Sequence, residues 1–442
     1  KGYQVTYIQG YQNEKEELGE KQLQDTIEKL KQEYRKKDCV ILYFIGLTES
    51  YEGEGYDRKN LKIPQNQEEL LAEIAETVGK DHIAAISFGG APMDFSFEKN
   101  VGAILHMYLG GQAVGESVAD LISGEVNPSG KLAETIPFSE KDTPAWRYFA
   151  PPNDDVEYRE SIFVGYRYYE TFHVPVKYPF GYGLSYTSFS YSELSVPEVY
   201  SGGKIQIGFK IKNIGKVSGA EIAQLYVCPN ESDVIRSHIE LKGFQKIYLH
   251  PGEEKEVILE LDERSFSVYD VEKKAFSMLS GKYQICVGAS VHDLQLKANM
   301  EVVGNSYFRN ERELFPDYFR EQPHGMEISA EQFYQLLGGE PKHDKEKKRG
   351  EYTVYDSYQD VVNVSMFGKF VRGIVHIGLK IILRGKSERD PAFKMVKMGV
   401  EEGNLEGLIA TSGGIATPKL IDMLVYNANK KYLQAFKRLL KK

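Results

Sequence analysis

Cys39-Val40-Ile41-Leu42-Tyr43-Phe44-Ile45 is a run of uninterrupted apolar residues, and Ile83-Ala84-Ala85-Ile86-Ser87-Phe88 is a second of nearly the same kind. A strand with apolar residues on both faces is covered on both sides, which is the condition of a strand inside a parallel sheet. Between the two runs, Leu70, Leu71, Ile74 and Val78 recur at helical spacing. Working outward, Tyr3 to Ile8 reads as an earlier strand, followed by the helical stripe Leu23, Ile27, Leu30 and Tyr34. Val101 to Tyr108 reads as a later strand, followed by Val114, Val118, Leu121 and Ile122 on one helical face. Alternating strands and helices of this kind predict an α/β layer built on a parallel sheet.

The pattern changes at Pro137. From there to Tyr186 no period is sustained, and Tyr, Pro, Gly and charge dominate. Long irregular segments within compact proteins tend to carry function. From about Tyr191 to Val303 the period becomes two, as in Ile205, Ile207, Phe209 and Ile211, then Val257, Leu259 and Leu261, then Tyr283, Ile285 and Val287. Ser201-Gly202-Gly203, Pro251-Gly252 and Ser280-Gly281 supply turns between them. This stretch predicts a β-sandwich.

Past Gly304 the chain is polar, and the charge run Lys342 to Arg349 reads as a solvated linker. Helices are expected beyond it. Ser329 and Gln332 stand at capping-box spacing before Phe333, and Thr417-Pro418 starts a final helix with Ile421, Leu424, Val425 and Tyr432 on one stripe. Met366 to Leu383 is apolar but interrupted by Lys369, Arg372, His376 and Lys380. It is expected to dock against the rest of the protein rather than lie on a membrane surface. The resulting division is 1–190 for the α/β unit, 191–303 for the sandwich, 304–350 for a linker and 351–442 for a helical tail.

Composition narrows the function. The 442 residues carry a net charge of -9, with 64 acidic against 55 basic side chains, so the average surface repels phosphate and offers no nucleic-acid footprint. Neither a run long enough to span a membrane nor a metal-spaced set of His and Cys is present in the sequence. Gly53 and Gly55 are flanked by Glu54 and Asp57, which repel phosphate, and Ser185 lacks the nucleophile-elbow pattern. No cofactor is called for. Cys39, Cys228 and Cys286 are an odd number in distant segments, so a reducing, cytoplasmic compartment is the simpler expectation. A signal peptide would lie before the first residue, Lys1.

Three stretches carry the chemistry. The first is Glu52-Gly53-Glu54-Gly55-Tyr56-Asp57-Arg58, then Leu61, Pro64 and Gln67. The second runs from Gly110-Gly111-Gln112 through Asp120 to Gly124-Glu125-Val126-Asn127-Pro128-Ser129-Gly130-Lys131-Leu132, ending in Pro137. The third is Tyr158-Arg159-Glu160-Ser161-Ile162-Phe163-Val164-Gly165-Tyr166-Arg167-Tyr168-Tyr169, then Tyr178-Pro179-Phe180-Gly181-Tyr182-Gly183-Leu184-Ser185-Tyr186. In that order and spacing they closely resemble the C-terminal α/β domain of glycoside hydrolase family 3. Gln224-Leu225-Tyr226-Val227, Leu241-Lys242-Gly243-Phe244 and Leu249-His250-Pro251-Gly252-Glu253 resemble the family's fibronectin type III-like domain. The fold class implied is multidomain: a partial α/β sandwich, a fibronectin type III-like β-sandwich and a helical C-terminal tail.

The resemblance implies retaining hydrolysis of β-glycosidic bonds, as in β-glucosidases of carbohydrate metabolism. A retaining site pairs a nucleophilic carboxylate with an acid/base carboxyl about 5–5.5 Å away. The family's nucleophilic Asp comes from an N-terminal (β/α)8 barrel of about 250 residues, and nothing before Lys1 supplies one. The first strand-helix unit of the α/β domain also looks absent, so the expectation is a truncated enzyme, inactive alone. Glu160 matches the family's general acid/base; read from the residues alone it is a surface carboxylate in a charged stretch, with Glu157 its nearest rival. Ser161 stands where the family commonly has Gly. Asp57 and Arg58 lie just beyond an apolar strand, where α/β sheets place ligand loops. Glu54, Asp57 and Arg58 are therefore carried as substrate or interface contacts, or as an ion pair fixing that loop. Arg167 either organises the Glu160 loop or is structural. The Asn127-Pro128-Ser129-Gly130 turn sets backbone geometry. The implied partners are a β-glucoside or oligosaccharide and the barrel; the alternative is a non-catalytic carbohydrate-binding or scaffolding protein of the same origin.

Overall fold

The computed structural model describes residues 2–13, 17–34, 39–53, 58, 60–149, 156–304, 310–322, 324–340, 347–384 and 390–440. The first unit holds a three-stranded parallel sheet in the order β1 (Ile41–Gly46), β2 (Ile83–Phe88), β3 (Ala103–His106), with α1 (Glu20–Tyr34), α2 (Gln65–Val78) and α3 (Val114–Ile122) in the connections. Tyr43, Ile45, Ile83 and Ala85 pack with Ile27, Leu30, Leu70, Leu71 and Ile74 in one core. Gln67 on α2 closes the end of β1: its amide accepts from Gly46 N–H at 2.8 Å and donates to Gly46 O at 3.0 Å. One side chain thereby supplies the hydrogen bonds that a further strand residue would give.

Tyr3 to Ile8 is not a strand. The segment has no ladder partner, and Tyr3, Val5 and Tyr7 stay exposed, while Ile8 alone of the expected strand touches the core. Alternating apolar residues satisfy the sequence pattern of a strand, but a strand also needs a neighbour to take its backbone groups. Side-chain bonds tie it instead: Thr6 Oγ1 donates to Glu33 Oε2 at 3.2 Å, and just beyond it Tyr11 Oη donates to the Phe44 carbonyl at 2.7 Å.

A short antiparallel pair, β4 (Ile136–Pro137) with β5 (Val176–Tyr178), brackets the irregular segment together with α4 (Tyr166–Thr171). The sandwich follows. One sheet is ordered β10 (Glu240–Leu249), β9 (Gly219–Pro229), β14 (Gly281–Gly288), β15 (Leu294–Val302), β7 (Val199–Tyr200); the other is β11 (Glu254–Leu261), β8 (Ile205–Asn213), β6 (Phe189–Ser195). A small hairpin, β12 (Ser267–Asp270) with β13 (Ala275–Met278), stands beside them. Ile207, Phe209, Leu225, Val257, Tyr283 and Ile285 fill the space between the sheets. Cys228 and Cys286, far apart in sequence, meet on adjacent strands with their sulfurs 3.8 Å apart.

The junction of the two units is polar and buried. Lys131 Nζ lies 3.0 Å from the Glu221 carboxylate on β9 and donates to Gly183 O at 2.9 Å. Gln224 Nε2 donates to Gly181 O and Ala289 O, and Tyr226 Oη donates to Gln224 Oε1. Asn127 spans the same seam: its amide donates to Ser218 O and accepts from Ser185 Oγ and Tyr186 N–H. The Asn127 turn thus joins two units as well as shaping its own backbone.

The stretch expected as a linker is folded across its described residues 310–340. It carries α5 (Glu311–Leu314) and α6 (Ala330–Leu337), and it buries Phe315, Tyr318, Met326 and Ile328 against Phe163, Tyr168, Tyr169 and Phe172. Its average polarity hides four well-spaced anchors, because a short segment docking on an existing aromatic surface needs no period of its own. Ser329 caps α6, accepting from Gln332 N–H, but the other half of the box is exchanged: Asp317 Oδ2 accepts from Ser329 N–H, and Gln332 Oε1 accepts from Asp317 N–H.

The tail is α7 (Tyr358–Asn363), α8 (Met366–Ile382), α9 (Pro391–Glu401), α10 (Leu405–Thr411), α11 (Pro418–Ala428) and α12 (Tyr432–Leu440) around Val361, Val362, Leu405, Leu424 and Ala428. Thr417 caps α11 as expected. The single final helix is in fact two, because Lys430 takes a left-handed φ of 59° and turns the chain, leaving Tyr432 exposed on α12. Lys394 on α9 reaches the Ser50 carbonyl at 2.9 Å, a tie between the tail and the loop after β1.

Two outcomes test this description. Lys131→Ala strands the Glu221 carboxylate and should destabilise the junction by about 3–5 kcal/mol, whereas the double change Lys131→Met with Glu221→Leu should recover most of that loss in chemical denaturation. Phe315→Ala should cost about 3–5 kcal/mol if its ring sits in a core, as described, and close to nothing if residues 310–340 were a solvated linker; hydrogen exchange at Phe172 and Tyr318 reads the difference.

Candidate active site

The carboxyl ends of a parallel sheet leave a rim of loops, and three such loops meet here. After β1, Glu52 Oε2 accepts from Gly90 N–H at 2.9 Å. A Cβ on Gly90, in the loop after β2, would lie 2.9 Å from Glu52 Oε1 and 2.8 Å from Leu109 Cδ1, so a side chain there would displace the ends of both. Arg58 Nη2 donates to Pro92 O at 2.6 Å, while its buried Nη1 has no hydrogen-bond partner among the described residues. After β3, Tyr108 adopts a left-handed φ of 49°. Glu134 completes the group. Burial pushes its carboxyl above the ordinary range, opposed by the neighbouring Tyr108 hydroxyl and Arg58 guanidinium. A cavity of about 400 Å³ runs from this rim to the tyrosine-rich loop, lined by Pro92, Glu134, Thr143, Val164, Gly165 and Tyr166 among others.

The loop is a series of tight turns: Ser161 N–H donates to Tyr158 O, Phe163 N–H to Glu160 O and Val164 N–H to Ile162 O. Ser161 has φ of 53° and Gly165 has φ of 55°. A left-handed residue with a Cβ is strained by roughly 1–2 kcal/mol, so the sequence departure at Ser161 falls where backbone freedom matters. Tyr158, Ile162 and Val164 face solvent, while Glu160 is only 5% exposed. Glu160 Oε2 is buried with no hydrogen-bond partner among the described residues. Burial raises its pKa, and its own backbone N–H only partly offsets this.

Arg159 anchors the loop. Its guanidinium lies over the Tyr148 ring at 4.6 Å, donates to Ile328 O at 2.9 Å and bonds Glu157 Oε2 through Nε at 2.6 Å. Glu157 also accepts from Tyr334 Oη at 2.6 Å. Tyr318 Oη donates to the Arg159 carbonyl at 2.9 Å. Glu157, engaged in these bonds, is a structural carboxylate in this arrangement. Arg167 points elsewhere, pairing with Glu240 at 3.6 Å, so it braces the sandwich rather than the Glu160 loop.

Of the residues singled out from sequence, Arg58 stands at the sheet rim and Glu160 in the loop, and no hydrogen bond or ion pair joins them. Glu54 and Asp57 lie outside the described residues. Glu52, Tyr108 and Glu134 were not singled out as site residues. Glu134 left a trace, as a carboxylate between Leu132 and the buried Ile136, while Tyr108 is an ordinary aromatic in sequence and only its backbone conformation marks it.

Comparison with known proteins places this architecture. Residues 1–186 match the glycosyl hydrolase family 3 C-terminal domain, and residues 221–291 match a fibronectin type III-like domain. Thermostable β-glucosidase B of Acetivibrio thermocellus is 41% identical over 300 residues, which is 67% of this chain and 39% of that protein. An exo-α-(1→6)-L-arabinopyranosidase of Bifidobacterium breve is 37% identical over 62% of this chain and 36% of its own length. The crystal structure of a family 3 β-glucosidase from Bifidobacterium adolescentis aligns with a TM-score of 0.63 at 35% identity, covering 68% of this chain and 44% of that one. The class of fold is that of the family 3 glycoside hydrolases. The chain carries that family's C-terminal α/β domain and fibronectin type III-like domain. It spans 36–44% of the length of these relatives.

Glu160 gives a pH test. Its folded pKa is raised, so its contribution to stability is fully present below the unfolded carboxyl pKa and is lost as pH rises through the folded value. Glu160→Gln cannot lose a proton. It should melt at a higher temperature than wild type near neutral pH, with the gap closing toward about pH 4; a gap independent of pH would place Glu160 in solvent.

Proposed function

We propose that this chain supplies the general acid/base and one wall of the sugar site in a retaining β-glycosidase of the β-glucosidase type. The nucleophile comes from a family 3 (β/α)8 barrel. The observation that carries the reading is the Glu160 carboxyl, its pKa raised by burial, on a loop within the matched domain whose motif resembles the family's acid/base segment. Protonation of the leaving oxygen requires a carboxyl that still holds its proton near neutral pH. In the arrangement described, Glu160 lies near Tyr318, is only 5% exposed and is not among the residues lining the cavity, so delivery of its proton requires the loop to turn it outward. The unpartnered Oε2 and the left-handed Ser161 mark where that turn would release strain. Glu134, which lines the 400 Å³ cavity, and Arg58, bonded to the cavity-lining Pro92, would meet sugar hydroxyls; with Glu54 and Asp57 they form the proposed contact set.

Relatives differ in sugar, a β-glucosidase in one case and an arabinopyranosidase in another, so the proposal extends to β-glycosides of this size class with glucose as the first substrate to try. The non-catalytic reading keeps one specific point in its favour, the inward side chain of Glu160.

The test joins this chain to a family 3 barrel and compares aryl β-glucosides with good and poor leaving groups. Glu160→Ala should lose about 10²–10⁴-fold in kcat/KM on the poor leaving group and far less on the good one. An equal loss on both would remove Glu160 as the acid, and no turnover of either substrate by the unsubstituted assembly would favour the carbohydrate-binding reading.

A further inference from the structure

The tail does not use all of its apolar surface internally. On α8, Phe367, Val371 and Val375 face the tail core, and Gly368 lets the helix approach α7 so closely that a Cβ would lie 2.4 Å from Val362 O. A second set, Met366, Phe370, Ile374, Ile377 and Ile381, is between 54% and 87% exposed. At 3.6 residues per turn these five fall within about 80° of the helix circumference. Lys369, Arg372, His376 and Lys380 fill the adjoining sector, and from Met366 to Arg384 the chain has no carboxylate at all. No ion pair to these four is found among the described residues; Arg372 bonds the neutral Asn363 amide. The helix α12 repeats the design, with Tyr432, Leu433, Phe436, Leu439 and Leu440 exposed and Lys430, Lys431 and Lys437 beside them. Both helices pack on α11.

An exposed apolar stripe of this size on a soluble domain marks a contact surface. The docking expected for this segment is therefore half of what it does: one face docks and another is left open. Charge decides what covers it. The whole chain carries -9, yet these two helices are purely basic apart from the Arg438–Asp422 pair made with α11. A second copy of the same face would set lysines against lysines. A surface that is apolar below and anionic above meets both demands. No described helix is long and apolar enough to cross a membrane, which leaves the flat, interfacial orientation.

We propose that α8, with α12, seats the tail on the surface of an anionic lipid bilayer, Phe370, Ile374, Ile377 and Ile381 entering the acyl boundary and Lys369, Arg372 and Lys380 meeting lipid phosphates. The inference is independent of the glycosidase reading, since it uses no residue of the site.

The full chain is sedimented with vesicles of phosphatidylglycerol and phosphatidylcholine in equal parts, and with vesicles of phosphatidylcholine alone. Binding is expected to the first and to be weak for the second. It should fall as salt rises from about 0.1 M to about 1 M, where screening shortens from about 10 Å to about 3 Å. Phe370→Ser with Ile377→Ser should weaken binding at least about tenfold, and Lys369→Gln with Lys380→Gln about fivefold for each charge. All four positions are exposed, so circular dichroism and melting temperature should be unchanged. Failure to sediment with phosphatidylglycerol vesicles, or equal binding to both compositions, overturns the proposal. A dimer without lipid that Phe370→Ser with Ile377→Ser returns to monomer would assign the face to a second copy and overturn it as well.

Discussion

The ammonium of Lys131 and the carboxylate of Glu221 meet where the α/β unit ends and the sandwich begins, and neither is free to find water. Two buried charges are tolerated together and not apart, so the two units are fixed to one another at that point. Gln224 and Asn127 extend the constraint along the seam. The Glu160 loop lies in the stretch between Lys131 and Tyr186, whose two ends are held at this seam. The loop's position is therefore inherited from a joint at its borders rather than from its own turns.

The second support comes from further down the chain. Residues 310–340 return to the α/β unit and build an aromatic floor beneath the loop, with Arg159 clamped between Tyr148 and the Ile328 carbonyl. That floor holds Glu160 dry. The packing that buries Glu160 is also what raises its pKa. The rim across the cavity follows a different logic. Arg58, Glu134 and Tyr108 stand near one another, and Arg58 Nη1, Glu134 Oε1 and Tyr108 Oη are each buried with no hydrogen-bond partner among the described residues.

Most of the architecture was legible because it is periodic. The runs at Cys39 and Ile83 and the alternation from Ile205 onward each carry a period that only one element satisfies. Where the reading went astray, the pattern was right and a second requirement was missing. Tyr3 to Ile8 alternates like a strand but has no partner edge to pair with. Met366 to Leu383 is a helix with two apolar faces, and a one-dimensional stripe does not say which of them is covered. Residues 310–340 looked like linker because Phe315, Tyr318, Met326 and Ile328 are too widely spaced to form a period. The candidate site was legible only where its motif is local, at Glu160 and Arg58. Tyr108 and Glu134 arrive from separate loops, and Arg159 takes the bracing part that sequence offered to Arg167.

The two sulfurs facing each other across β9 and β14 set a handling requirement for the molecule. In the folded sandwich both are shielded, so dissolved oxidants reach them slowly. Once the strands separate, the same thiols are free to couple with each other or with Cys39 in any register the open chain allows. Recovery of native material after denaturation should therefore depend on reductant.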